Sequence, residues 1–219
     1  IQYSLAMLSL AISFQIAAGP FAPAPPPAPE PIDNGSTAIP AKSLSIVAWA
    51  QGYENYFPGS HVDPPFQTPE KALLEAGNSD GNNTGHMFDI VSLGRGGSIT
   101  LLFNPPIRNG EGYDFAVFEN SFSGDFLELA WVEVSSNGVD FFRFYNISLT
   151  ESDVGGFGII DPTNVTGLAG KYEQGFGTPF DLQQLTLTHS NLNNLDLNRI
   201  SHVKIIDIVG DGFHYDSIT

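Results

Sequence analysis

Large apolar residues stand at every second position from Leu8 to Ile16 (Leu-Ser-Leu-Ala-Ile-Ser-Phe-Gln-Ile), and this alternation limits what the N-terminal arm can fold into. On a strand, Leu8, Leu10, Ile12, Phe14 and Ile16 share one face, while Ser9, Ala11, Ser13 and Gln15 take the other. On a helix, at about 100° per residue, the same five side chains split into two opposed groups. Seven prolines spaced by alanines follow between Pro20 and Pro31. Such a run favours polyproline II and is expected to hold the arm away from the domain behind it. A sticky strand on a stiff stalk has the chemistry of a donor strand in a self-assembling surface fibre. Two other readings stand beside it, an ordinary in-domain strand and a secretory signal peptide ending at Ala17-Ala18-Gly19. Against the signal, residues 1–16 hold no Lys or Arg, and serines interrupt the apolar run. The run is too short and too serine-rich for a membrane span of about 20 residues.

The arm (residues 1–18) and the Pro-rich linker (19–40) leave residues 41–219 for one domain. Eight basic against twenty-four acidic residues give a net charge of −16, which repels phosphate and excludes nucleic acid as a partner. With no cysteine, disulfides, thiolate metal sites and cysteine nucleophiles are excluded together. Twenty-three glycines and seventeen phenylalanines suit many short strands joined by tight turns.

Within the domain, Ser43–Ala50 alternates and reads as the first core strand. Thr68 as N-cap, Pro69 at the first helical position and Gly77 as the stop predict one short helix. Further strands are expected at Met87–Leu93, Gly97–Phe103, Tyr113–Glu119, Phe126–Ser135, Val139–Tyr145 and Val203–Val209, with Asn137-Gly138 as a two-residue hairpin turn. The fold class that follows is all-β, an antiparallel sandwich or jelly roll with one short helix. The sequence runs only to Thr219, and no closing strand is read after Val209, so the sandwich is expected to expose an apolar slot that a spare strand fills.

Chemistry-bearing groups are sparse. Gly77-Asn-Ser-Asp-Gly81 has the Gly-x-Ser-x-Gly spacing, but a helix is expected before it where a nucleophile elbow needs a strand. Asp80 in the same loop, with Glu119, Asp211 and Asp216 where strands give way to loops, are candidate calcium ligands. Asp114 and Asp207 sit at similar positions. The alternative for all of these is backbone capping in polar turns. A glycosidase needs two carboxylates facing each other across a cleft, a pair that sequence alone does not display. The five histidines are scattered without metal-ligand spacing. Trp49, Tyr53, Tyr56 and Phe57 suit a sugar-stacking platform or the core. Asn-x-Ser/Thr sequons place candidate glycans at Asn34, Asn82, Asn146 and Asn164, and Asn82 alone has an acidic residue two positions earlier.

Six segments carry a resemblance: Val91–Thr100, Asp114–Asn120, Trp131–Gly138, Leu168–Lys171, Gly177–Leu182 and Asp207–Gly212. Together, over roughly residues 70–216, they resemble a bacterial family of secreted "cell surface proteins", some of which carry C-terminal sorting signals. The resemblance implies a jelly roll at the cell surface. The family continues past Val209-Gly-Asp-Gly212 into a further apolar strand, where this sequence departs from it. The expected function is a structural subunit of an extracellular, pilus-like fibre, without catalytic activity. Its partners are identical subunits, joined head to tail by the N-terminal strand, and covalent glycans. The alternative is a monomeric surface module that binds carbohydrate or another ligand and is stabilised by calcium.

Overall fold

The computed structural model describes residues 18–26, 31–76, 89–151, 154–155 and 158–209. They form an antiparallel β-sandwich, as the alternation predicts. The strands are β1 (Ile39–Pro40), β2 (Gly52–Phe57), β3 (Ser98–Ile107), β4 (Phe115–Phe118), β5 (Ala130–Ser135), β6 (Phe142–Arg143), β7 (Ile147–Ser148), β8 (Val165–Thr166), β9 (Phe176–Phe180) and β10 (Ile200–Asp207). One sheet has the order β2-β3-β10-β5-β6, the second β1-β9-β4, and β7-β8 forms a small third ribbon. β3 pairs with β10 and β4 with β9, so the chain's middle and late strands are nested.

Two apolar rows cross the centre of the large sheet. Ile99 opposes Ile205, which opposes Val132, and Leu101 opposes Val203, which opposes Val134. The residues between them point outward, where Arg143 Nε and Nη2 both donate to Glu133 Oε1, at 2.9 and 2.7 Å. Lys204 Nζ lies 3.5 Å from Glu133 Oε2. The small sheet contributes Phe115 and Phe180, whose rings stack at 5.2 Å, and Phe144 closes the cluster at 4.9 Å from Phe180. Burying such rings is the largest apolar contribution to a core of this size.

Four expectations fail in whole or in part. Ser43–Ala50 forms no strand, and Leu44 and Val47 are 99% and 95% exposed. Ser43 N–H donates to Pro40 O, Ser43 Oγ accepts from Ser45 N–H, and Ile46 N–H donates to Ser43 O, so serine turn chemistry displaces the ladder. The helix expected after Thr68 is a single 3-10 turn, Pro69–Ala72; the Thr68 hydroxyl donates to Ile90 O instead of capping the turn. The only α-helix among the described residues is α1, Leu185–Thr188. The hairpin at Asn137-Gly138 exists but is wider than two residues: the last strand pair is Val134–Phe142, and Asn137 Oδ1 accepts from the N–H groups of Val139 and Asp140. Asp89–Leu93 is not a strand either, while Gly77–Phe88 lies outside the described residues.

The linker also differs from a free stalk. Gly19 and Phe21 donate backbone N–H bonds to Thr163 Oγ1 (2.6 Å) and Thr163 O (3.0 Å), and Pro25 is buried. Its other end, Ile39–Pro40, is strand β1 itself, paired with Phe176–Gly177.

Candidate functional site: an apolar cleft with an acidic end

Between the two sheets lies a cleft of about 1920 Å³. Its walls are the inward faces of β3 and β10 on one side and of β4 on the other. Ile99 and Val203 are buried there, but Leu101, Phe103, Phe115, Val117 and Ile205 are only half-buried. Inward rows of a sandwich normally interdigitate to close the core; here part of the row faces open space. β4, which lines this space, pairs with β9 on one edge and with no described strand on the other. An apolar trough beside an unpaired backbone edge is the arrangement that accepts an extended chain.

One end of the trough is acidic, and the side-chain alternation of the strands places the acids there. Inward positions run Phe115, Val117, Glu119 along β4 and just beyond it, Val132, Ala130, Glu128 backwards along β5, and Val203, Ile205, Asp207 along β10. Each series ends in a carboxylic acid, and all three line the cleft. Glu119 comes from the small sheet, while Glu128 and Asp207 belong to the large one. The Glu119 carboxyl is pushed up to about 8, first by burial, with the Glu128 charge and a hydrogen bond with that side chain acting in the same direction. The backbone N–H groups of Asn120 and Ser121 oppose the rise, the latter donating to Glu119 Oε2 at 2.8 Å. Asp207 is pushed up to about 6, mainly by burial and also by Glu128, against a Gly96 N–H bond of 2.9 Å and the Arg95 charge. Near neutral pH, Glu119 therefore holds a proton and joins the sheets through Glu128.

Of the candidate calcium ligands, Glu119 alone is described; Asp80, Asp211 and Asp216 lie outside the described residues, as do the donor-strand positions Leu8, Leu10, Ile12, Phe14 and Ile16. Among the described residues no three His, Asp or Glu side chains gather in a way that could hold a metal ion. Asp114 is a turn-capping group: its carboxylate accepts from the N–H groups of Gly110 (2.7 Å) and Leu182 (2.8 Å). The sequons divide. Asn34 is exposed and Asn164 half-buried, but Asn146 is fully buried with Nδ2 donating to Phe144 O, so the folded domain offers no glycan acceptor there. Asn82 lies outside the described residues.

The aromatic group near the domain start does not form a platform. Trp49 turns to Phe118 at 5.3 Å and Tyr56 Oη donates to Ser92 O, while Tyr53 and Phe57 are exposed on β2. Glu128 is the site residue that reading for motifs misses; the alternation Glu128-Ala130-Val132-Val134 is the signal that would have found it. No helix among the described residues is long and apolar enough to cross a membrane. The chain matches no family model, and no curated protein is detectably similar to it.

Proposed function

We propose that the protein is a structural subunit of an extracellular, pilus-like fibre, in which the Leu8–Ile16 strand of one copy occupies the cleft of the next. The observation that carries this reading is the half-filled apolar trough beside the edge of β4 that pairs with no described strand. Its volume of about 1920 Å³ exceeds the roughly 300–1,000 Å³ of ordinary small-molecule sites, which favours a polypeptide occupant. Five large apolar side chains on one face of the arm match a wall of this kind, at a gross gain of roughly 1.5–3 kcal/mol each. Hydrogen bonds to the edge of β4 would supply direction and register. A contact of this type is heterologous and does not close on itself, so it propagates as a filament. The resemblance to secreted cell surface proteins supports an extracellular setting, and the role requires no catalytic group.

Negative-stain microscopy of the full chain tests the reading. Filaments are expected from the wild type and from Ser13→Asp, whose side chain leaves the apolar face, and dispersed globules from Ile12→Asp. Dispersed globules from the wild type over the whole concentration range would overturn it in favour of a monomeric ligand-binding module.

A further inference from the structure

We infer that residues 19–25 are a latch, which fixes the base of the N-terminal arm on the subunit's own Asp161–Thr163 turn, at the rim of the cleft. The turn is built for the purpose. Asp161 Oδ1 accepts from both Thr163 N (2.8 Å) and Thr163 Oγ1 (2.7 Å), which leaves the Thr163 hydroxyl oxygen and carbonyl to receive the strap. Gly19 N–H donates to that hydroxyl at 2.6 Å, and Phe21 N–H to that carbonyl at 3.0 Å. The approach is so close that a Cβ on Gly19 would stand 2.2 Å from both Thr163 O and Asn164 Oδ1, a distance only glycine accommodates. Farther along, Ala24 packs against Gly124, whose ideal Cβ position is 3.5 Å from the Ala24 Cβ, and Ala24 O accepts from Asn34 Nδ2 at 2.8 Å.

Both docking points border the cleft: Phe122 and Phe126 flank Gly124, Ile160 precedes Asp161, and all three line it. The described part of the proline run, residues 20–26, is then a strap across the domain surface. Its consequence for assembly rests on the fibre reading: the neighbour's cleft must lie within reach of Thr163, so consecutive subunits touch directly instead of hanging on a spacer of roughly 3.1 Å per residue.

The chain has no cysteine, so a pair introduced at the close approach reports on it alone. The full chain carrying Ala24→Cys and Gly124→Cys, with Cβ atoms at a separation that suits a disulfide, is oxidised mildly and run without reductant. Both thiols should disappear with no gain in mass, and adding Gly19→Val should slow that intrachain closure at least tenfold. Disulfide-linked ladders would mean the strap docks on a neighbour, and persistently free thiols that it does not dock; either result overturns the latch. Closure that is as fast with Gly19→Val also overturns the role of Gly19. The cross-linked protein should form filaments as readily as its reduced form; filaments in the reduced form alone would show that the strap must release, and so overturn the latch. If neither form makes filaments while the intrachain bond closes, the fibre reading fails and the latch stands.

Discussion

Glu119 and Glu128 face each other from opposite sheets and share a hydrogen bond at the acidic end of the cleft. Glu119 ends the inward series of β4 and Glu128 begins that of β5, so this contact spans the sandwich where its apolar rows stop. Burial and the Glu128 charge both disfavour an ionised Glu119, so this side chain keeps its proton near neutral pH. The contact therefore ties the geometry of the cleft to the protonation of Glu119, and Asp207 adds a third acid to the same corner.

The fold should lose stability as pH rises from about 4 to about 8. Glu119 titrates at its ordinary 4.5 in an unfolded chain and near 8 in the fold, and Asp207 at 3.8 and near 6. Between those values the folded state binds more protons than the unfolded one, so each such group contributes stability that is complete below the lower value and gone above the upper. The slope is about 1.4 kcal/mol per pH unit for each fully titrating group. Above pH 8 the trend should turn. Burial brings the Lys171 amine down to about 8 from its ordinary 10.5, so from there upward the unfolded chain holds the extra proton and stability returns. Thermal unfolding followed from pH 4 to 10 checks both limbs. Glu119→Gln should flatten the falling limb, and a wild-type profile that rises from pH 5 to 8 would contradict the carboxyl pairing.

A charge on the cleft wall should abolish assembly without unfolding the subunit. Val117 is half-buried on β4 and lines the trough, whereas Val139 is 80% exposed on the hairpin between β5 and β6. Val117→Lys places an unpaired ammonium against any apolar strand in the trough, at a cost of several kcal/mol, and Val139→Lys leaves the trough unchanged. Filaments from Val139→Lys and none from Val117→Lys are expected by microscopy, with unchanged far-UV circular dichroism for both.

Phe144 should be the most sensitive single position in the core. It is 1% exposed, and its ring centroid lies 5.8 Å from that of Phe115 and 4.9 Å from that of Phe180, so it ties the large sheet's edge to the small sheet. Phe144→Ala should cost roughly 3–5 kcal/mol by urea unfolding. Leu187→Ala, on a side chain 82% exposed, should cost next to nothing.

Strand alternation alone made β3, β4, β5 and β10 legible, because each buries one face and the period of two survives in the residues. It misled at Ser43–Ala50, where the same pattern occurs but Ser43 and Ser45 bond locally and no partner strand is at hand. It was silent at β9, where Gly177 and Pro179 hide a paired strand; Pro179 sits beyond the end of β1, with only β4 beside it. The helix failed because its cap, Thr68, was engaged by Ile90 O, eighteen residues beyond the last helical position. Of the site, Glu119 and Asp207 stood out as acids at strand ends, but their meeting with Glu128 depends on which sheets face each other. That is a tertiary fact with no local signature. The docking of the strap on Thr163 likewise depends on two segments 144 residues apart.

Loosening the strap should divide the population. Held at Thr163, the arm leaves the domain from one point, and a strand of nine residues then spans roughly 30 Å from that base. Replacing residues 20–26 with Gly and Ser, together with Gly19→Val, removes the close approach at Thr163, the prolines, the Phe21 side chain and the contact of Ala24 with Gly124. The tether becomes a random coil that samples short end-to-end distances as well as long ones. A subunit's own cleft is always present at the effective concentration its tether sets, while a neighbour's cleft varies with protein concentration. The flexible variant should therefore yield a larger share of self-closed monomers, most clearly in dilute solution, and this is read by size-exclusion chromatography over a concentration series. If the variant polymerises as fully as the wild type at every concentration, the fixed base at Thr163 is not what directs the arm to a neighbour.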